Sequence, residues 1–462
     1  MRLLHLTLLV VALALPALAQ PIRELLSPAP AGTGESSLVT GPDGTSYLTY
    51  AGPGLAPDER ALWLATLAPG AEAWSAPRPV VSTKLLMENW ADFASLIVGT
   101  DGQLWAQWFQ QRPGEDAHGY DGWVARSRDG GATWSAPAPL GHEFVSLAPL
   151  SGGRALAVWL ESVPSATPHA AHAAKADPHA ARMRLKSRLL AADGATLQDW
   201  VIDPDVCTCC QTSLANLGGD RVVVAYRGHT PGEIRDNHVA FFNQSIWGPP
   251  RLLHADGWKI PACPVNGPAA DARGESLAIA WFTAADGVAR VQAKVSRDGG
   301  ITFSPPLALD LGRPIGRLDL VKLADGSALV SWLEAKSENN AAGLYVRRLF
   351  PDGTLSAPLL VAQTSAVRAS GFARLAARRE GDSLTALVSW TDAAPTDPAN
   401  PKSRAATRVR VARIDARTLP PAPLPPATTE ARPRAVVRGD NLALLEICES
   451  TTPSHSVLQE LP

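Results

Sequence analysis

One pattern recurs seven times along this chain: a short apolar strand that ends in an aromatic residue. The copies are Ser46-Tyr47-Leu48-Thr49-Tyr50, Leu104-Trp105-Ala106-Gln107-Trp108, Ala155-Leu156-Ala157-Val158-Trp159, Val222-Val223-Val224-Ala225-Tyr226, Leu277-Ala278-Ile279-Ala280-Trp281, Ala328-Leu329-Val330-Ser331-Trp332 and Ala386-Leu387-Val388-Ser389-Trp390. Their terminal aromatics follow one another at intervals of 58, 51, 67, 55, 51 and 58 residues. A steady period of this size marks a β-propeller or solenoid, in which each unit buries its apolar face only against its neighbours.

Within each unit the same grammar returns. A first strand (Phe93 to Val98, Leu318 to Leu323) meets a turn such as Asp101-Gly102 or Asp325-Gly326, which suits a hairpin that needs positive φ. The aromatic-ended strand comes second. A longer loop leads to a third strand (Trp123 to Ser127, Ala289 to Ser296), and a short fourth strand lies near a Ser-Ala-Pro. Four antiparallel strands per unit predict an all-β propeller blade. Seven repeats favour seven blades, with six plus a partial unit as the alternative. Arg23-Glu24-Leu25-Leu26, before the first repeat, is a candidate outer strand to close the ring.

Two turns between third and fourth strands are sharper: Ser127-Arg128-Asp129-Gly130-Gly131-Ala132-Thr133-Trp134 and Ser296-Arg297-Asp298-Gly299-Gly300-Ile301-Thr302-Phe303. Short polar side chains bond their own turn, glycines supply conformations closed to other residues, and Trp134 or Phe303 packs the hairpin down. On these motifs the chain resembles the sialidase (BNR/Asp-box) superfamily of β-propellers. The resemblance implies a structural role on the outer rim for Ser127, Asp129, Gly131, Trp134, Ser296, Asp298, Gly300 and Phe303. It also implies a reaction to look for: three arginines clamping a carboxylate, a tyrosine nucleophile with its glutamate, and an acidic aspartate. By position Arg317 and Arg374 match two clamps and Asp92 the acid. The family's Phe/Tyr-Arg-Ile-Pro motif is absent, with Gly34-Glu35-Ser36-Ser37 in its place. None of the five tyrosines falls where the nucleophile is expected.

The first residues read as a secretory signal: Arg2, an apolar run from Leu3 to Leu15, then Ala17-Leu18-Ala19. The expected organisation is a signal peptide at 1–19, a propeller at 20–418, a Pro-rich linker at 419–433, and one or two strands in 434–462 as candidates to complete the last blade. No other segment reads as a membrane span. The expected setting is periplasmic or secreted. A net charge of −2 and the lack of a basic stripe exclude a nucleic-acid partner. The expected state is a monomer with a glycan, protein or metal-ion ligand.

The cysteines single out one place. Cys207, Cys209 and Cys210 crowd into Asp205-Val206-Cys207-Thr208-Cys209-Cys210-Gln211, and Cys263 lies in Pro261-Ala262-Cys263-Pro264. Cys210 precedes Tyr226 by 16 residues and Cys263 precedes Trp281 by 18, so they hold similar positions in adjacent repeats. A propeller brings such connections together on one face beside its axis. Three readings stand open: disulfides pinning two blades, which an oxidising compartment favours; a thiolate site for Cu or Zn; and a redox-active pair. Cys448 is the remote fifth. Beside them, Arg227, Arg235, Asp236 and His238 crowd a compact loop, and Asn266 follows Cys263; these are candidate ligand-binding residues, or else a buried network that shapes the loop. A His-rich stretch, His169, His172 and His179 within 164–182, fits metal binding or a plain loop.

Overall fold

A computed structural model describes residues 20–114, 119–163, 182–336, 340–378, 384–393 and 406–422, and the backbone of 434–438, 442–447 and 455–460. The proposed signal peptide, most of the His-rich stretch, Cys448 and residues 423–433 of the Pro-rich segment lie outside the described residues.

Seven antiparallel sheets follow one another along residues 20–420. Blade 1 is Gly34–Thr40, Ser46–Pro53, Arg60–Leu67 and Arg78–Thr83. Blade 2 is Ser95–Val98, Leu104–Gln111, Tyr120–Ser127 and Ala138–Gly141. Blade 3 is Glu143–Pro149, Ala155–Ser162, Met183–Leu190 and Thr196–Val206. Blade 4 is Ser213–Gly218, Arg221–Arg227, Asn237–Asn243 and an outer edge broken into Ile246–Trp247 and Arg251–Leu252. Blade 5 is Ala269–Arg273, Ser276–Thr283, Arg290–Ser296 and Leu307–Ala308. Blade 6 is Pro314–Lys322, Ala328–Ala335, Ala341–Leu349 and Leu359–Ser365. Blade 7 takes Arg374–Ala377, Thr385–Ala393 and Thr407–Asp415 from the end of the unit, and its outer strand, Ile22–Leu25, from the beginning. The protein is therefore a seven-bladed propeller, not the six-bladed alternative.

The aromatic-ended strand is second in every blade, and its residues face a neighbouring blade on each side. Trp108, Trp159, Trp281 and Trp332 are buried completely. The core is a ring of inter-blade layers. Ala278, Ala280 and Phe282 of blade 5 pack with Leu320, Val330 and Trp332 of blade 6. Leu38 and Leu48 of blade 1 pack with Ala376 and Leu387 of blade 7. Burying such side chains contributes about 1.5–3 kcal/mol each, and no blade does so alone.

The Asp-boxes form as their chemistry dictates. Ser127 Oγ donates to Asp129 Oδ1 at 2.7 Å and accepts from Gly131 N at 2.9 Å, while Thr133 N and Oγ1 donate to the Asp129 carboxylate. Ser296, Asp298, Gly300 and Thr302 repeat the pattern. Gly131 and Gly300 adopt φ of 86° and 87°. Trp134 and Phe303 pack the hairpins onto the inter-blade core.

The C-terminal unit, residues 421–462, contains one antiparallel sheet in which Arg434–Arg438, Leu442–Ile447 and His455–Glu460 pair in that order. Blade 7 is completed by Ile22–Leu25 instead. No helix among the described residues is long and apolar enough to cross a membrane.

Candidate metal centre

Seven connections lead from one blade's outer strand to the next blade's inner strand, and the residues singled out in the sequence lie on them or close by. The inner strands surround an axial cavity of about 640 Å³. Three inner strands begin with a register shift and a non-glycine residue at positive φ: Glu35 at 53°, Phe144 at 54° and Arg317 at 53°. Such a conformation costs on the order of 1–3 kcal/mol, and it recurs at one structural position in blades 1, 3 and 6.

The cysteine segment leads into blade 4. It starts where Val206 bridges Gly228 and Cys207 N donates to Arg227 O at 3.1 Å. It ends at Gln211, whose side-chain amide donates to Ala91 O at 2.5 Å and accepts from Gly267 N at 3.0 Å. Gln211 thus ties the segment to the connections of blades 2 and 5. Cys207, Cys209 and Cys210 point inward together, with all three sulfurs within 4.8 Å of one another. The Cys207 and Cys210 sulfurs are 3.2 Å apart, in S–H···S contact. Cys263 arrives from the connection into blade 5, where its sulfur lies 3.6 Å from Thr208 Oγ1 and bonds to Cys209. The four meet as thiols; no disulfide forms among the described residues. Cys207 and Cys210 are fully buried, while Cys209 and Cys263 are partly exposed.

The loop between the second and third strands of blade 4 brings two buried guanidiniums to this cluster. Arg235 Nη1 donates to Cys207 Sγ at 3.6 Å and its Nη2 pairs with Glu233 at 2.9 Å. Its Nε makes no hydrogen bond among the described residues. Arg227 donates to the carbonyls of Arg235, Asn266 and Phe282 at 2.6–3.3 Å and lies 4.9 Å from the Trp258 ring centroid. Both side chains are 1% exposed. Arg227 has only neutral acceptors among the described residues, and its charge acts through space on Cys207, Cys210 and Asp256. Burial acts to raise the Cys207 thiol; S–H donors from Cys209 and Cys210, with Arg227, outweigh it and hold Cys207 well below the ordinary thiol range. Cys209, which donates to Cys207, is raised in turn, and burial pushes Cys210 up to about 12. The local field thus supports negative charge on Cys207 alone of the three sulfurs.

The remaining candidates shape this centre. Asp236 accepts from the backbone N–H groups of Gly257 and Trp258, both at 2.9 Å. His238 stacks on Tyr226 with ring centroids 5.8 Å apart. Asn266 accepts from Arg317 N at 2.7 Å and donates to the carbonyls of Pro264 and Ile315. Of the loop's polar residues, Arg227 and Asp236 act on backbone, and only Arg235 contacts a sulfur directly. His229 was not singled out; it bonds Asp205 at 2.9 Å and lies 3.5 Å from Glu233. Glu143 also lies by the cluster, and burial, with Cys263 nearby, pushes its carboxyl up to about 7.

Asp92, Arg317 and Arg374 lie on the same face, each already engaged. Asp92 is 3% exposed and accepts from Tyr120 Oη at 3.0 Å and Phe144 N at 2.9 Å. Arg317 donates to the carbonyls of Ala366 and Val367 and lies 4.7 Å from the Trp90 ring. Arg374 pairs with Asp319 at 3.4 Å.

Three sulfurs around one cation, each about 2.3 Å from it, lie about 4 Å apart. The cluster brackets that spacing, with all three sulfurs within 4.8 Å and one pair at 3.2 Å. In the sequence Cys-x-Cys-Cys is not a standard zinc spacing, since two-residue gaps are usual, so the pointer there was the crowding of three cysteines and not their spacing.

No protein-family model matches the sequence, and no curated protein matches it. Solved structures do. The BP39L lectin from Burkholderia pseudomallei is 10% identical over 84% of this chain and 97% of its own, with a TM-score of 0.54. A PL25 ulvan lyase is 12% identical over 84% and 95%, with a TM-score of 0.50. The NanB sialidase from Streptococcus pneumoniae is 10% identical over 87% and 72%, with a TM-score of 0.43. At these identities what is shared is the architecture, and the chain is a divergent seven-bladed β-propeller carrying Asp-boxes.

Proposed function

We propose that this chain is an exported metal-binding propeller that holds a soft, filled-shell cation, Cu(I) or Zn(II), on the thiolates of Cys207, Cys209 and Cys210, with Cys263 at their edge. One observation carries the reading: three sulfurs of one connection stand as thiols within 4.8 Å of one another, with Cys263 beside them. Thiolate sulfur favours these ions over Mg²⁺ or Ca²⁺. Arg227, whose acceptors are all neutral carbonyls, supplies a buried positive charge, while Arg235 is paired with Glu233. Arg235 is a positioning residue that fixes Cys207.

Elemental analysis and a thiol count on the native protein test this. One equivalent of metal, lost in the Cys209→Ser/Cys210→Ser protein, is the expected result. A metal-free protein with no titratable thiols overturns it in favour of disulfides. N-terminal sequencing of the protein from its native host, expected to begin at Gln20, tests export.

A further inference from the structure

We infer that the centre passes its metal, as Cu(I), to or from a thiol-bearing partner across the edge formed by Cys209 and Cys263. The inference rests on the metal reading above and concerns how such a site is used.

The site is asymmetric in three ways. Burial divides it: Cys207 and Cys210 are 1% and 2% exposed, whereas Cys209 and Cys263 reach solvent. A structural zinc site is closed on all sides; this one is closed on one. The backbone divides it the same way. Three sulfurs share one tethered connection, and Cys263 alone comes from another, flanked by Pro261 and Pro264. Moving Cys263 away leaves the other three in place. Charge divides it a third time. Arg227 and Arg235 are fixed at the buried end, with Arg235 on Cys207 itself, so the anchored sulfurs are those least disposed to leave.

Coordination number also selects the ion. Zn(II) in a protein site takes four ligands, which needs Cys263 held as firmly as the rest, whereas the three clustered sulfurs of Cys207, Cys209 and Cys210 suffice for Cu(I), which thiolates favour. A Cu(I) ion on three sulfurs leaves Cys263 to cap the edge and to give way. Exchange then follows from thiolate chemistry. Once Cys263 gives way, the incoming thiol loses its proton as its sulfur bonds copper; the Cu–S bond to Cys209 breaks, and the departing sulfur takes up a proton. Copper stays Cu(I), and no electron is transferred.

The test uses the full chain, loaded with Cu(I) under reducing, anaerobic conditions, and a synthetic Cys-x-x-Cys peptide as acceptor. The transfer rate is expected to rise in proportion to peptide concentration. Cys263→Ser is expected to keep one equivalent of Cu(I) and to transfer it several-fold faster, whereas Cys207→Ser weakens binding by more than about 100-fold. A rate independent of peptide concentration overturns the inference, as does a Cys263→Ser protein that loses metal as completely as Cys207→Ser; either result leaves a closed thiolate site standing. A natively folded wild type that takes up no metal overturns the metal reading as well. Circular dichroism on each variant separates loss of metal from loss of fold.

Discussion

Arg235 faces a carboxylate on one side and a sulfur on the other, so two substitutions can tell charge from shape. Arg235→Met removes both bonds and is expected to weaken metal binding by roughly 10–100-fold, the usual cost of losing an outer-shell partner. Arg235→Lys keeps the charge without the fork and is expected to recover part of that loss; competition with a chromophoric chelator measures both. Asp92 offers a second test through pH. Burial raises its carboxyl well above the ordinary range against the hydrogen bonds from Phe144 and Tyr120. The folded protein therefore keeps a proton that the unfolded chain releases above about pH 4. With more protons bound in the folded state, stability falls as pH rises through that window. Asp92→Asn is neutral throughout and still accepts both bonds. Its Tm is expected to vary less than that of the wild type between pH 5 and pH 8; an unchanged difference between the two pH values refutes this account.

The Asp-box hairpin is the element most legible in the sequence, because every bond in it is local. A Cβ on Gly131 meets Leu64 Cδ2 at 2.3 Å, and its φ is left-handed. Gly131→Ala is expected to cost about 2–4 kcal/mol from strain and overpacking together, read by urea denaturation, with metal stoichiometry unchanged because the box is on the rim. The seven aromatic-ended strands were legible for a similar reason, since their pattern is the core pattern. The metal centre was only partly so. That Cys210 and Cys263 hold similar positions in adjacent repeats was readable from their spacing to Tyr226 and Trp281. That Arg227 has backbone carbonyls for partners and Asp236 backbone N–H groups was not, because side-chain chemistry names what a group can bond and not which loop comes near. The outer strand of blade 7 divides the same way. Arg23 to Leu26 was readable as a closing strand, and the C-terminal strands read equally well as completing that blade; strand propensity alone does not say which edge a strand joins.

Closure makes the seven blades one object. Ile22, Arg23, Glu24 and Leu25 pair with Ile414, Arg413, Ala412 and Val411, so the two ends of the propeller share one sheet. Arg23 and Arg413 also share Glu72 of blade 1, an exposed arrangement that adds little. The larger contribution is apolar: Leu25, 4% exposed, packs with Leu38, Leu48 and Tyr50 of blade 1 and with Val409 and Val411 of blade 7. Every other inter-blade layer is held by continuous chain on both sides, and this one by four residues. Leu25→Ala removes buried methyl groups where the ring closes and is expected to cost about 2–5 kcal/mol. If the layers act as one cooperative ring, the loss lowers the Tm of the entire propeller in a single calorimetric transition, and metal release follows that transition. A separate early transition of blades 7 and 1, with the metal centre of blades 4 and 5 still loaded, contradicts cooperativity around the ring. The metal centre spans a blade boundary far from the closure in sequence, so its release is an independent reporter of whether the ring opens locally or unfolds as a whole.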